Sequence, residues 1–117
     1  MLTPDGSKGS EVIRGTMDLL ILRVLQFGPM HGWGITEMIE QRSRDLLSVN
    51  QGSLYPALYR LVRDGKIASE WRASDNNRRA RYYSLTAKGR AQLAEERSQW
   101  KRLSRGVELV LGAEGAA

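Results

Sequence analysis

Apolar residues recur at helical spacing in three segments of the first half of the chain. Residues 15–27 are apolar around nearly the whole circumference of a helix, with Thr16 as the expected N-cap and Asp18 in the first turn. Such a helix must be buried on more than one side, against either a C-terminal helix or a second subunit. Residues 33–42 carry a narrower apolar stripe, which predicts a second, amphipathic helix after a Gly28-Pro29 stop.

The third helical segment, residues 53–63, divides clearly into two faces. Its apolar face consists of Leu54, Ala57, Leu58, Leu61 and Val62, and its polar face of Ser53, Tyr55, Tyr59, Arg60 and Arg63. We expect Ser53 to be the N-cap, because Pro56 then lies in the first turn, where its missing N–H costs nothing. A start at Asn50 would cost Pro56 one backbone hydrogen bond and predicts a kink. Taken alone, the segment is equally typical of an ordinary amphipathic helix with a solvated face.

Two segments with the character of strands follow, at residues 66–73 and 81–85. The Asp-Asn-Asn sequence between them suits a turn, including positive φ angles. We therefore predict a β-hairpin whose tip carries Arg78 and Arg79. Two arginines at a turn are also typical of a solvated loop without a partner.

Residues 87–112 predict a long helix with Thr86 as its cap. Its apolar residues form a one-sided, heptad-like seam made of Leu93, Trp100, Leu103, Val107 and Val110. A helix at the end of so short a chain has little of its own domain to cover this seam. The seam therefore predicts a dimer interface, with folding back onto the first helix as the alternative.

These elements predict a mainly α fold with a small β-hairpin: a winged helix-turn-helix followed by a C-terminal dimerisation helix. The expected organisation is a flexible arm at 1–12, a DNA-binding domain at 13–86, the dimerisation helix at 87–112 and a frayed tail at 113–117.

The positive charge of the chain is local. The 117 residues have a formal net charge of +5, and residues 66–90 alone hold seven basic and two acidic side chains, equal to the whole net charge. A basic hairpin beside a polar helix face favours a polyanionic partner, and double-stranded DNA fits this arrangement best. RNA is disfavoured, since no platform of exposed aromatic residues on a sheet is evident.

The remaining composition argues against several classes of function. One histidine, His31, and no cysteine provide no nucleophile, base or metal cluster, so we expect no enzyme, no metal and no cofactor. Beside the Gly-Pro stop, His31 is expected to be a hydrogen-bonded turn residue. The lack of cysteine and of a long apolar run predicts a cytoplasmic protein that does not span a membrane.

The DNA interface is predicted at the start of the third helix and on the hairpin. Short polar side chains at a helix start can approach base edges, so Gln51 and Ser53 are expected to read sequence. The other predicted contacts are mostly to phosphate. The complete predicted set is Asn50, Gln51, Gly52, Ser53, Tyr55, Tyr59, Arg60, Arg78, Arg79 and Arg81. The alternative is a winged-helix protein-interaction module without nucleic acid, whose binding would be insensitive to salt.

Three blocks carry a family resemblance: GPMHGWGI at 28–35, GSLYPALYRLVRDGKI at 52–67 and RRARYYSLTAKG at 78–89. Together they resemble the signature blocks of PadR-type transcriptional regulators. The resemblance implies a homodimeric repressor that binds an inverted repeat in DNA and is released by a small aromatic or drug-like effector. It implies that Tyr55, Arg79 and Arg81 face DNA and that the C-terminal helix is the dimer element.

Two positions depart from the family pattern, and one of them bears on effector binding. Trp33 stands where tyrosine is usual, and Asn76-Asn77 occupy a turn where glycine is frequent. Trp33 and Trp100 are the candidate residues of an effector pocket, because Trp100 can face its symmetry mate across the seam. Plain packing in the seam is the alternative for Trp100.

Overall fold

The computed structural model describes residues 10–11 and 14–112, with side chains from Thr16 onward. The predicted arm up to residue 9 and the predicted tail at 113–117 lie outside the described residues. The elements in order are β1 (Ser10–Glu11), α1 (Arg14–Val24), a 3₁₀ turn (Leu25–Phe27), β2 (Met30–His31), α2 (Gly32–Arg42), β3 (Leu47–Ser48), α3 (Gln51–Arg63), β4 (Ile67–Ala73), β5 (Arg79–Leu85) and α4 (Ala87–Leu111). β1 and β3 pair in parallel, so the end of the predicted arm is joined to the α2–α3 connection.

Helix α1 is the centre of the core. Met17, Ile21 and Leu22 are fully buried, and the helix packs against α2, α3 and α4. The prediction of burial on more than one side is confirmed, and the C-terminal helix of the same chain provides the second side. The predicted cap was wrong: the helix begins at Arg14, so Thr16 is a residue of its first turn. The hydroxyl of threonine competes with the backbone for hydrogen bonds. In the first turn this competition costs little, because the first amides of a helix have no intrahelical partner.

Helix α3 begins three residues before the expected position. Its N-cap is Asn50, whose Oδ1 accepts a hydrogen bond of 2.7 Å from the backbone N–H of Gly52. Pro56 therefore lies inside the helix, and the predicted late start at Ser53 was wrong. Gly52, four residues before Pro56, is exposed, so water can satisfy the carbonyl that the proline leaves unpaired. The predicted apolar face of α3 faces the core: Leu54, Ala57, Leu58 and Leu61 are buried, and Val62 is partly buried.

The sheet has three antiparallel strands in the order β2-β5-β4, one more than the predicted hairpin. His31, expected in a turn, and the preceding Met30 pair with Tyr82 and Tyr83 of β5 respectively. The backbone of His31 is extended before α2 begins, and it fills the otherwise open edge of β5. We call residues 67–85, that is β4, β5 and their turn, the wing.

Helix α4 has a buried beginning and an exposed remainder. Thr86 caps it as predicted, because its hydroxyl oxygen accepts a hydrogen bond of 3.0 Å from the N–H of Gly89. A side chain at Gly89 would overlap the backbone carbonyl of Lys66, so this helix start lies directly against the entry to β4. Leu93 is buried in the core of the chain, whereas the apolar residues beyond it are exposed. Gly112 ends the helix with a left-handed φ of 71°.

None of the described helices is both long enough and apolar enough to cross a membrane.

Candidate nucleic-acid interface

A groove of about 650 Å³ lies between the wing and the starts of α2 and α3. Side chains alternate across a strand, so Trp71 of β4 shares one wing face with Arg81, its direct partner on β5, and with Arg79. This face lines the groove from the wing, and Trp33 of α2 and Tyr55 of α3 line it from the helices. The lining residues are His31, Gly32, Trp33, Tyr55, Trp71, Ser74, Asn76, Arg78, Arg79, Ala80, Arg81 and Tyr83. The groove brings four predicted DNA contacts together: Tyr55, Arg78, Arg79 and Arg81.

Aromatic rings hold the arginines of the wing. The guanidinium carbons of Arg79 and Arg81 lie 5.8 and 5.7 Å from the ring centre of Trp71. Arg81 also donates a hydrogen bond of 3.1 Å from Nε to Oγ of Ser69. On the other face of the wing, Arg72 lies 4.2 Å from the ring centre of Tyr82. Cation–π contacts orient a guanidinium without neutralising it, so these arginines keep their charge and most of their donors.

Arg72 was absent from the predicted interface, although it belongs to the basic segment. Its observed contact is cross-strand: Arg72 lies opposite Ala80, and Tyr82 is its diagonal neighbour on β5, so Arg72 is not among the residues that line the groove. Because side chains alternate along a strand, the sequence shows only that Arg72 lies on the face of β4 opposite Trp71. No ion pair involves an arginine of the wing among residues 16–112.

The wing turn is closed by its own side chains. Oγ of Ser74 donates to Oδ1 of Asn76 at 2.6 Å, and the same Oδ1 accepts a 3.3 Å hydrogen bond from the backbone N–H of Arg78. Asn77 has a φ of 65°, the left-handed conformation that the turn requires and that asparagine tolerates. Arg79 is the first residue of β5, so only Arg78 of the two predicted tip arginines lies in the turn.

Gln51 and Asn50 have partners within the protein. Nε2 of Gln51 donates a hydrogen bond of 2.9 Å to the hydroxyl of Thr36, which is only 2% exposed and lies in α2. This bond fixes the first turn of α3 against α2 and uses one amide N–H of a residue predicted to read bases. Asn50 is the helix cap, as described above, while Ser53 is exposed on the surface of the same turn.

Two tyrosines project from the polar face of α3. Tyr59 is exposed, and Tyr55 is half-exposed with its phenol against Gly32 of α2. A Cβ at Gly32 would overlap the hydroxyl of Tyr55, so a larger residue there would require the Tyr55 phenol to move. Tyr83 also lines the groove, and burial raises the pKa of its phenol above the ordinary value of 10.0.

The arginines of α3 are paired with acids. Nη2 of Arg60 lies 3.2 Å from Oδ1 of Asp18 in α1, and each of the two side chains is less than one-third exposed. Nε of Arg63 lies 3.1 Å from Oδ1 of Asp64. The hydrogen bond from Arg63 lowers the pKa of Asp64 and raises that of Arg63. The predicted phosphate contact Arg60 is therefore tied to the core helix in this structure.

The predicted seam of α4 consists of one buried residue and four exposed ones. Leu93 is 2% exposed and belongs to the core of this chain, so it differs from the rest of the seam. Trp100, Leu103, Val107 and Val110 are exposed. The distal part of the helix forms an apolar groove of about 470 Å³ lined by Arg102, Leu103, Gly106, Val107, Val110 and Leu111.

Of the two tryptophans of the predicted effector pocket, one lies at the groove described above. Trp33 lines the groove beside the wing, and Trp100 is not among the residues that line it. The tryptophan that joins Trp33 there is Trp71. Within the described part of the chain, no group of three or more histidine or acidic residues is placed to hold a metal ion.

Residues 21–95, from α1 into α4, match the transcriptional regulator PadR-like family. A transcriptional regulator of Mycobacterium tuberculosis is 38% identical over 97 residues, which are 83% of this chain and 87% of that protein. The crystal structure of a PadR-family transcriptional regulator from Eggerthella lenta matches with a TM-score of 0.71 at 31% identity, covering 84% of this chain and 83% of that one. A transcriptional regulator from Clostridium thermocellum matches with a TM-score of 0.74 at 27% identity, covering 82% and 93%.

Proposed function

This chain belongs to the PadR-like family of transcriptional regulators, which are not enzymes, and we propose that it binds double-stranded DNA through α3 and the wing. The observation that carries the proposal is the shared groove: Tyr55 of α3 and three arginines of the wing line one surface. A recognition helix in the major groove and a basic ribbon on the flanking backbone need this proximity.

Within this interface we assign different tasks to the two elements. Arg78, Arg79 and Arg81 bind phosphates, because their charges are not neutralised by acids and lie on one side of the wing. Ser53 and Gln51 lie at the start of α3, where short side chains can approach base edges, and Gln51 keeps one N–H and its carbonyl oxygen for that purpose. Asn50 and Gly52 form the capped turn that presents them, and Tyr59 lies on the same polar face.

We propose that the functional unit is a homodimer joined through α4. Trp100, Leu103, Val107 and Val110 are an apolar surface that a second copy of the helix would cover, and apolar seams of this spacing pair in coiled-coil fashion. A two-fold dimer binds an inverted repeat, with half-sites centred about one helical turn, roughly 34–36 Å, or a multiple of it apart.

We propose further that the protein is a repressor released by a small effector. Occupation of a promoter by a dimer is sufficient to exclude polymerase, so repression requires no surface beyond the DNA and dimer interfaces. Release requires only that the effector bind the DNA-free protein more tightly than the DNA-bound protein.

The DNA proposal is tested by selecting duplexes from a random pool and measuring affinity for the selected sequence at several salt concentrations. A dimer with several phosphate contacts per subunit should lose affinity steeply as salt rises. Absence of any retained duplex at low ionic strength would contradict the proposal. A protein partner bound equally well across the salt series would favour the alternative, a winged-helix module for protein interaction.

The dimer is tested by its mass in solution. Val107→Glu should shift the protein towards single chains, because it places a charge inside the apolar seam, and operator affinity should fall with it. Ser98→Glu, a charge on the opposite face of α4, is the matched control and should leave the dimer intact. A dimer unaffected by Val107→Glu would show that the chains associate elsewhere.

A further inference from the structure

The connection between α2 and α3 is tied back to the end of α2 along most of its length. The backbone N–H groups of residues 43–47 donate to oxygen atoms of residues 39–43. Further along, the N–H of Val49 donates a hydrogen bond of 3.0 Å to Oε2 of Glu40. Val49 immediately precedes Asn50, the N-cap of α3. We propose that Glu40 is a positioning residue that fixes the start of α3 for reading base pairs, which rests on the DNA-binding function proposed above.

Two side chains of α2 hold the start of α3. Glu40 follows Thr36 by four residues, so both lie on the same face of α2. Thr36 accepts a hydrogen bond from Gln51, and Glu40 accepts one from Val49, on the other side of the Asn50 cap. The first turn of α3 is therefore fixed to α2 at two points. Base edges are read well only when the reading side chains are held to within about 0.5 Å of the productive geometry, and this pair of contacts provides such support.

The backbone of the connection makes an anchor necessary. Arg44 and Asp45 have φ angles of 52° and 62°, a left-handed conformation that residues other than glycine rarely adopt. Such residues persist only where the surrounding structure holds them. The hydrogen bonds to the end of α2 hold one side of the connection, and the pairing of β1 with β3 holds the other. That pairing ends one residue before Val49, so Glu40 holds the chain between the strand and the helix cap.

The chemistry of the contact suits a carboxylate. Glu40 is partly buried, and within the described side chains no arginine or lysine forms an ion pair with it. A carboxylate that accepts from a backbone N–H forms a stronger hydrogen bond than a neutral oxygen does. Its charge also lies beside the N-terminal end of α3, where the helix dipole favours an anion. Glu40 therefore interacts with the lead-in to α3 and not with a cationic side chain.

The contact is tested without DNA, by the backbone amide resonance of Val49 in a nitrogen-correlated NMR spectrum of the full-length protein. Glu40→Ala removes the acceptor, so this amide proton should move upfield, while the amide of Leu58 in the buried part of α3 keeps its position. Glu40→Gln retains an oxygen that can accept, and it should retain most of the downfield position. Glu37→Ala, which removes an exposed carboxylate from α2, is the matched control. An unchanged Val49 resonance in Glu40→Ala would overturn the proposal.

The consequence for recognition is tested by discrimination between duplexes. The measured ratio is the affinity for the selected duplex divided by that for a duplex changed at one base pair whose preference Gln51→Ala alters. Glu40→Ala should lower this ratio about fivefold, the equivalent of one lost hydrogen bond. Glu40→Gln and the control Glu37→Ala should keep most of it. Both substitutions of Glu40 remove one negative charge, so any general gain in affinity for DNA is common to them and cancels in the ratio.

A role in stability alone predicts a different pattern. Well below the melting temperature of each variant nearly all molecules are folded, so a loss of stability leaves the ratio unchanged. Equal discrimination by Glu40→Ala and the unchanged protein would therefore overturn the positioning role. An equal loss in Glu40→Gln and Glu40→Ala would also overturn it, because the effect would then belong to the charge. If Glu40→Ala does not fold, Glu40→Asp provides the same comparison, since it keeps the charge and shortens the side chain by one methylene.

Failure of the proposed function gives a result of its own. A protein that retains no duplex would refute DNA binding and with it the role of Glu40 in reading bases. The Val49 resonance would still decide whether Glu40 holds the start of α3. Duplex binding whose discrimination does not respond to Glu40→Ala would leave the proposed function standing and overturn only the positioning role.

Discussion

Helix α3 and the wing both carry arginines, but the two elements hold them differently. Arg60 and Arg63 of α3 are each paired with an aspartate, whereas Arg79 and Arg81 of the wing lie over an indole ring. An ion pair contributes to the stability of the fold, and its two opposite charges largely cancel for a ligand that approaches from a distance. A ring contact orients the guanidinium and leaves its charge intact. The comparison supports our proposal that the arginines of the wing bind phosphate, and it leads us to expect that those of the helix contribute to stability instead.

The charge distribution along the chain follows the same division. Outside residues 66–90 the acidic and basic residues are equal in number, and the segment that includes the wing carries the whole excess. The positive field is therefore concentrated where the guanidinium groups have no acidic partner. A phosphate approaching α3 meets mainly neutral donors, such as Ser53, Tyr55 and Tyr59, while one approaching the wing meets net positive charge.

The largest effect is expected from Arg79→Gln in the wing. In a dimer this removes two phosphate contacts, so the slope of log affinity against log salt should become shallower by roughly 2, and affinity at low salt should fall about tenfold or more. All duplex sequences should be affected alike, because phosphate contacts carry no base information. Fluorescence anisotropy with labelled duplexes across a salt series measures both quantities. A change of sequence preference with an unchanged slope would contradict this role.

Arg60→Gln in α3 is expected to change the stability of the protein and not the salt dependence of DNA binding. Loss of its ion pair with Asp18 should lower the free energy of unfolding by about 1 kcal/mol, since the pair is only partly exposed, and the melting temperature by roughly 4 °C. The salt slope of DNA binding should remain that of the unchanged protein. Thermal denaturation of Arg60→Gln, Asp18→Asn and the double variant gives the coupling between the two residues. If the salt slope fell as much as in Arg79→Gln, Arg60 would be a phosphate contact after all.

A smaller effect is expected at the start of α3, where we propose that side chains distinguish base pairs and do not bind phosphate charge. Gln51→Ala should blur preference at particular base pairs by less than about 1 kcal/mol, because one of its two amide N–H groups is held by Thr36. Thr36→Val removes the hydroxyl that accepts the hydrogen bond from Gln51 but keeps the Gln51 side chain. It therefore separates the role of Gln51 in positioning α3 from its direct contact with bases. Repeating the duplex selection with each variant reveals the affected positions. A uniform loss of affinity for every duplex in Gln51→Ala would indicate that Gln51 only positions α3.

The helices and hairpin were predictable because their signals are local. The apolar period of α3, the caps and glycines around α4 and the strand-like segments of β4 and β5 each lie within one short stretch. The strand β2 was not predictable, since two extended residues have no period and gain their identity from pairing with β5. The start of α3 was misassigned because exposure of Gly52 makes the cost of Pro56 small, and exposure is a property of the folded chain.

The members of the candidate site were more predictable than their partners. Composition locates the basic segment, and spacing locates the polar face of α3. The ion pair between Arg60 and Asp18 joins residues 42 positions apart, and the hydrogen bond between Gln51 and Thr36 joins residues 15 apart. Neither pairing leaves a local signal, so the sequence could not show that Arg60 has an acidic partner in the fold. Leu93 likewise fits the period of the seam, but its position at the start of α4 places it in the core.

The smallest effect concerns the ion pair between Arg63 and Asp64 at the end of α3, and it depends on pH. The hydrogen bond from Arg63 lowers the pKa of Asp64 from its ordinary value of 3.8, so the folded state binds a proton less readily there than the unfolded state. The stabilisation is therefore fully present above about pH 4 and is lost as the pH falls through the lowered pKa of the folded protein. Urea denaturation between about pH 2 and pH 6 should show a slightly weaker acid dependence for Asp64→Asn than for the unchanged chain. The exposure of the pair keeps this effect small, and Arg63→Gln should reproduce it, because either substitution removes the same interaction. An equal effect from Arg72→Gln, whose guanidinium lies over a ring and not beside an acid, would erase the distinction between the two elements.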